Sequence, residues 1–145
     1  MSQALILLVE DDPMDVKLTR RALTKAGLHV SLEVVEDGEQ AVAYLLGPDD
    51  KRGPLPSLVL LDLKLPKISG HQVLERIRAD PRTRRLPVIV LTSSLEETDL
   101  ARSYDLGANS YVRKPVEFDA FVEAARQVGA YWLVLNQAPP VVNGP

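Results

Sequence analysis

Acidic side chains gather where an apolar run ends. In "LILLVEDDPMD", residues 5–15, five apolar residues lead straight into Glu10, Asp11 and Asp12, and Asp15 follows closely. Adjacent carboxylates repel one another, more strongly beside an apolar core, and raise each other's pKa unless a cation sits among them. A divalent ion is the natural solution. Magnesium fits best, because it takes hard oxygen ligands: one or two carboxylates, several waters and a phosphate. There is no cysteine, and neither His29 nor His71 ends an apolar run. Zinc and copper sites, disulfides and cysteine catalysis therefore drop out.

Other reactive groups follow other apolar runs. Asp62 ends "SLVLLD", Thr92 ends "PVIVLT" with Ser93 next, and Lys114 follows "SYVR". An aspartate beside magnesium can attack phosphorus and form an aspartyl phosphate. The phosphoryl oxygens then need positive charge and hydrogen-bond donors, which magnesium, Lys114 and the Thr92 hydroxyl would supply. Asp62 stands alone at its strand end and is the best nucleophile. Asp11 is the best metal anchor, with Glu10 joining directly or through water. Taken singly, each group is ordinary: Asp62 could start a turn, Lys114 could be a surface lysine, and Thr92 could simply end a strand. We assign Asp12 to capping the helix that Pro13 opens, and expect Asp15 to face water in its first turn.

These groups work together only if the runs that deliver them lie side by side. "ALILLV" (4–9), "SLVLLD" (57–62) and "PVIVLT" (87–92) are continuous apolar runs, as expected of strands covered on both faces. "VSLEVV" (30–35) and "SYVR" (110–113) are weaker and read as edge strands. Helical patterns separate them, over 13–26, 39–46, 69–78 and 96–106, with a last helix from Glu117. Five strands alternating with five helices define a doubly wound α/β domain with a parallel sheet. Such sheets bind ligands outside the carboxyl ends of their strands, where the acids, the hydroxyl and the lysine all fall.

The 145 residues are 46% hydrophobic, with a net charge of −3. That is enough chain for one unstapled core. It offers no electrostatic footprint for nucleic acid, and "RTRR" (82–85) reads as a solvated turn. No apolar run approaches the roughly 18–20 residues a membrane span needs. The N-terminus shows no basic n-region or small-residue cleavage site, so a cytoplasmic location is expected. We expect one domain over 1–136 with an extended last helix, and a flexible proline-rich tail over 137–145.

The motifs "VEDDP", "LLDLKLPKISG", "VLTSS" and "DLGANSYVRKP", in that order, resemble the receiver domain of two-component response regulators over roughly residues 4–128. The resemblance implies a flavodoxin-like sheet of order 2-1-3-4-5. It implies Asp62 as phosphoacceptor, with Mg2+ held by Glu10, Asp11, Asp62 and the backbone carbonyl of Lys64. It also implies Thr92 and Tyr111 as switch residues, Lys114 as the conserved-type lysine and a cis Lys114–Pro115 bond. Lys64 and Ser94, two residues beyond Asp62 and Thr92, stand where the family tunes loss of the phosphoryl group. Glu10 replaces a commoner aspartate. The chain would not be a conventional enzyme, but would take a phosphoryl group from phosphohistidine onto itself and lose it slowly.

The loop "LLGPDDKRGPLPS", the stretch "RADPRTRRLPVIVLTSS" and the extension "AYWLVLNQAPP" resemble stand-alone regulators paired with phytochrome-type histidine kinases. Such a kinase is the expected partner. No effector domain is expected after residue 136, so output would pass through protein contacts. Phe118, Phe121, Val122, Ala125 and Val128 form a core-facing stripe, and Gly129 would permit a bend before "YWLVL" (131–135), apolar all round. Either Trp132 caps the core, or Trp132, Leu133 and Leu135 build a homodimer surface with the fourth helix and fifth strand; we favour the dimer. Two other readings fit these residues less well. A dehalogenase-type phosphatase would need an acid where Lys64 stands, and a dinucleotide-binding domain would need glycines where the first acids stand. A phosphorylation-independent binding module on a receiver scaffold remains the alternative.

Overall fold

A computed structural model describes residues 4–140. The strands are β1 (Ala4–Val9), β2 (Val30–Val35), β3 (Leu58–Leu61), β4 (Val88–Thr92) and β5 (Ser110–Arg113). The helices are α1 (Pro13–Lys25), α2 (Gly38–Leu46), α3 (Gly70–Ala79), α4 (Glu97–Asp105) and α5 (Phe118–Ala130). Every strand pairs parallel, in the order β2-β1-β3-β4-β5.

Strand side chains alternate between faces, and that alternation builds two cores. Leu7, Val9, Val59, Leu61, Val88 and Val90 pack on one face with Ala41 and Leu45 of α2 and with Val73, Leu74 and Ile77 of α3. Ile6, Leu8, Leu58, Leu60 and Ile89 pack on the other, against Leu23 of α1 and Val128 of α5. Covered on both faces, the three central strands can be apolar throughout. Edge strands β2 and β5 are only partly buried, as their mixed sequences imply.

Polar caps set where the helices begin. The Asp12 carboxylate accepts from the Met14 N–H at 2.9 Å and Pro13 takes the first helical position, so Asp12 caps α1 as expected. Ser69 and Gln72 form a reciprocal capping box at α3. At Gly70 a Cβ would collide with the Asp62 carbonyl oxygen and lie 2.6 Å from Leu63 Cα. Only glycine lets α3 start this close to the end of β3.

The C-terminal region departs from expectation at Phe118 and in how the last helix ends. Phe118 is exposed, stacked under the Arg21 guanidinium at 5.3 Å, while Phe121, Val122 and Ala125 are buried and Val128 packs half-buried on the core. Phe118 opens the helix, too early on the stripe to reach the core. Helical backbone continues past Gly129. α5 runs into a π-helical turn, Tyr131–Leu135, closed by the Asn136 N–H donating to the Tyr131 carbonyl at 2.7 Å. A Cβ at Gly129 would lie 2.8 Å from Leu28 Cδ1, so the glycine serves close packing against the α1–β2 connection. Trp132 and Leu133 pack half-buried against the second core, whereas Tyr131, Val134 and Leu135 are exposed. The core therefore takes one side of the apolar run and leaves the other in solvent.

Ala138, Pro139 and Pro140 line a cavity of about 340 Å³ with Leu55, Arg82 and Arg85. The remainder of the expected tail, 141–145, lies outside the described residues. Within "RTRR", Thr83 is fully buried and its hydroxyl donates to the Ile77 carbonyl at 2.6 Å, while Arg84 and Arg85 are exposed. No helix among the described residues is long and apolar enough to cross a membrane.

Candidate functional site

The strand order reverses between β1 and β3, which leaves a crevice at their carboxyl ends. Backbone ladders deliver the acids into it. The Glu10 N–H donates to Val35 O at 3.0 Å, and the Asp62 N–H to Val9 O at 3.1 Å, so each residue leaves its strand held by a neighbour. Glu10 and Asp62 are buried, Asp11 is exposed, and carboxylate oxygens of the three lie within 4.8 Å of one another. These are hard oxygen donors from two strand ends, one of them open to solvent, and the set suits a magnesium ion with retained waters.

Lys114 closes the crevice. Its ammonium donates to Glu10 Oε1, to Asp15 Oδ2 at 2.8 Å and to Asp62 Oδ2 at 3.1 Å, and its side chain is only 8% exposed. Its backbone N–H donates to Thr92 O at 2.7 Å, which ties the residue to the end of β4. Lys114–Pro115 is trans, since no cis peptide occurs among the described residues. The expected cis bond is thus corrected, yet the ammonium reaches Asp62 without it.

Burial pushes Glu10 up to about 7, against the downward pull of the Lys114 ammonium. Burial also works against the charge on Lys114. Hydrogen bonds to Asp15 and Glu10 outweigh it and hold the ammonium above the usual lysine range. The pair therefore keeps a firmly charged lysine beside a reluctant acid, an arrangement a metal cation would relieve.

Thr92 is fully buried at the end of β4, and the Ser94 N–H points to its hydroxyl oxygen at 3.4 Å. The Tyr111 hydroxyl, half-buried, points to the Ser94 carbonyl at 3.4 Å. Lys64 is exposed, with its N–H directed at Asp62 Oδ1, 3.4 Å away. Glu10, Asp11, Asp62 and Lys114 thus come together, Thr92 ends the adjacent strand, and Tyr111 stands off against the β4–α4 connection.

Two features escaped the sequence. Asp15 does more than face water: it is a third carboxylate on Lys114. Side chains in a helix lean toward its N-terminus, so an acid in the first turn of α1 tilts back over the end of β1. The spacing Asp11 to Asp15 carried that signal. In addition, the Ser94 hydroxyl donates to Asp99 Oδ2 at 2.6 Å, and the Ser103 hydroxyl to Asp99 O at 2.8 Å. The buried ring of His71 lies 3.0 Å from Ser103 Oγ, which extends this chain from the β4–α4 connection to α3.

An acid-lined crevice with a lysine at the switch point of a 2-1-3-4-5 sheet defines the class of protein. Residues 6–126 match the response regulator receiver domain, and the chain belongs to that family. It is similar to the "Probable methanogenesis regulatory protein FilR2" of Methanothrix harundinacea (strain 6Ac), 40% identical over 93% of this chain and 87% of that one. It is also similar to response regulator Rcp1 of Synechocystis sp. (strain ATCC 27184 / PCC 6803 / Kazusa), 36% identical over 88% of each chain. The Mn(2+)-bound structure of Rcp1 superposes with a TM-score of 0.88, covering 94% of this chain and 99% of that one. The phosphorylated cyanobacterial phytochrome response regulator RcpA superposes with a TM-score of 0.90 at 35% identity, covering 96% of this chain and all of that one.

Proposed function

We propose that this receiver domain accepts a phosphoryl group on Asp62 from a phytochrome-type sensor histidine kinase, in a magnesium-dependent reaction in the cytoplasm. The observation that carries the reading is the convergence of Glu10, Asp11, Asp62 and Lys114 at the β1–β3 crevice. Relatives described as a phytochrome response regulator and as an Mn(2+)-bound form support the kinase class and the divalent ion.

Asp62, Glu10, Asp11 and the Lys64 carbonyl would hold the ion, which when bound supplies positive charge to the oxygens of the transferring group. An Asp62 carboxylate oxygen attacks phosphorus as the phosphorus–nitrogen bond to the donor histidine breaks. The bonding pair stays on the imidazole nitrogen, which takes a proton from solvent. Lys114 would donate to one phosphoryl oxygen, and the Thr92 hydroxyl to another once it turns toward the group. Slow attack by water later returns the free aspartate.

Output follows as a population shift. Turning Thr92 toward a phosphoryl group moves the backbone that Ser94 and Tyr111 share, and with it the Ser94–Asp99 tie to α4. The α4–β5 face then passes the change to a second copy of the chain. The dimer surface on the last turn is Tyr131, Val134 and Leu135, beside the half-buried Trp132 and Leu133. Light scattering expects a symmetric dimer, and a monomer at high concentration, phosphorylated or not, removes that part of the reading.

The kinase step has its own test. A radiolabelled, autophosphorylated phytochrome-type kinase mixed with the protein and magnesium passes label to wild type and none to Asp62→Asn. Label that stays on the kinase, or that reaches Asp62→Asn equally, overturns the reading.

A further inference from the structure

The Lys114 ammonium has three hydrogens and meets three carboxylates, each from a different element: Glu10 after β1, Asp15 in α1 and Asp62 after β3. Its donor capacity is therefore fully used. Two of those carboxylates, Glu10 and Asp62, belong to the set with Asp11 that can hold a divalent ion, and Asp15 does not. A cation placed among Glu10, Asp11 and Asp62 competes with Lys114 for two of its three partners and leaves the third untouched.

We propose that Asp15 is a positioning residue that keeps the Lys114 ammonium at the crevice once the metal has claimed the other two carboxylates. This inference rests on the Asp62 phosphotransfer reading and deepens it. Asp15 suits the task in three respects. Its Cα sits in the first turn of α1, and its own carbonyl accepts the hydroxyl of the fully buried Thr19 at 2.8 Å, so the backbone beneath it is fixed. Its side chain is 21% exposed against 3% for Glu10, so it reaches Lys114 from the solvent side of the crevice. Finally, it approaches Lys114 from α1, whereas Asp62 lies on the β3 side. With Asp15 holding one N–H, the other two are free to turn to the oxygens of a group on Asp62.

An acid in the first turn of a helix also favours the helix dipole, so the test must separate position from charge and stability. Three variants do this. Asp15→Asn removes the charge that holds Lys114. Asp15→Glu keeps the charge on a longer stem. Asp12→Asn removes a neighbouring charge while preserving the α1 cap, because asparagine caps as well as aspartate. The first readout needs no phosphodonor: the proton-exchange rate of the Lys114 ammonium by nitrogen-detected NMR in the magnesium-loaded protein. Slow exchange is expected in wild type and Asp12→Asn, fast exchange in Asp15→Asn, and recovery toward slow exchange in Asp15→Glu.

The second readout is phosphoryl uptake from acetyl phosphate at saturating magnesium. There Asp15→Asn falls about tenfold and Asp12→Asn stays within about twofold of wild type. Asp15→Asn matching Asp12→Asn in both readouts overturns the proposal. So does fast ammonium exchange in magnesium-loaded wild type. Failure of wild type to take up any phosphoryl group is a different result: it removes the phosphotransfer reading, while the NMR arm still decides whether Asp15 holds Lys114.

Discussion

One cation ties together each end of the sheet, and the two ends use it differently. At the carboxyl ends of the strands, Lys114 joins three carboxylates. At the opposite end, Arg78 of α3 donates to the Gly107 carbonyl at 2.8 Å, the Leu86 carbonyl at 2.7 Å, the Arg84 carbonyl at 3.1 Å and Asn109 Oδ1 at 3.0 Å. Every Arg78 partner is neutral, and most are backbone. These bonds clamp the starts of β4 and β5. Every Lys114 partner is an acid, and two of the three, Glu10 and Asp62, belong to the set that can hold a divalent ion. Charge on the partners, more than burial of the cation, separates a structural tie from a working one.

The sharpest way to break the contrast is Lys114→Ala. It should slow phosphoryl uptake by about a hundredfold. It also strands three facing carboxylates, so without metal it should lower stability by about 3 kcal/mol, and magnesium should restore much of that. Denaturant titrations with EDTA and with magnesium measure both. If magnesium restores nothing, the carboxylates are not free to take a cation.

Arg78→Ala is the mirror experiment. Losing charge-assisted bonds to carbonyls, most of them part-buried, should lower stability by about 2 kcal/mol, equally with and without magnesium. Uptake by the folded fraction should stay within about twofold of wild type. A magnesium-dependent loss would mean that the two ends are coupled.

The pH dependence of stability sharpens the contrast further. Glu10 is pushed from 4.5 to about 7 in the fold, so between those values the folded chain keeps a proton the unfolded chain has released. Its stabilising contribution is full below 4.5 and is lost as pH rises through about 7. The metal-free protein should therefore be less stable at about pH 8 than at about pH 5.5, and Glu10→Gln or added magnesium should reduce that difference. Unfolding midpoints at both pH values check the sign.

The smallest effect is expected at Glu123–Arg126, a solvent-exposed pair on α5. Glu123→Ala should leave the unfolding midpoint unchanged within error, since solvent screens such a pair.

The strands were legible because burial on both faces demands unbroken apolar runs, and the three central strands have them. The residues ending those strands were legible for the same reason, since the fold puts strand ends at the crevice. Asp15 was less so, because an acid in a first helical turn is ordinary by composition, and its spacing from Asp11 does not by itself name Lys114 as the partner. Trp132 and Leu133 were half legible. An all-round apolar run says that something will be uncovered, but the π-helical turn decides which residues face the core. The cis Lys114–Pro115 bond came from resemblance alone, and the trans bond here delivers the same ammonium to the same place.

The central claim is that Asp62 takes the phosphoryl group because a divalent ion shares its crevice. Incubation with acetyl phosphate and magnesium, followed by intact-mass measurement, tests it most directly. The account predicts one base-labile phosphoryl group per wild-type chain, and none on Asp62→Asn or in EDTA. An unmodified wild type with magnesium present, or equal modification of Asp62→Asn, would contradict it.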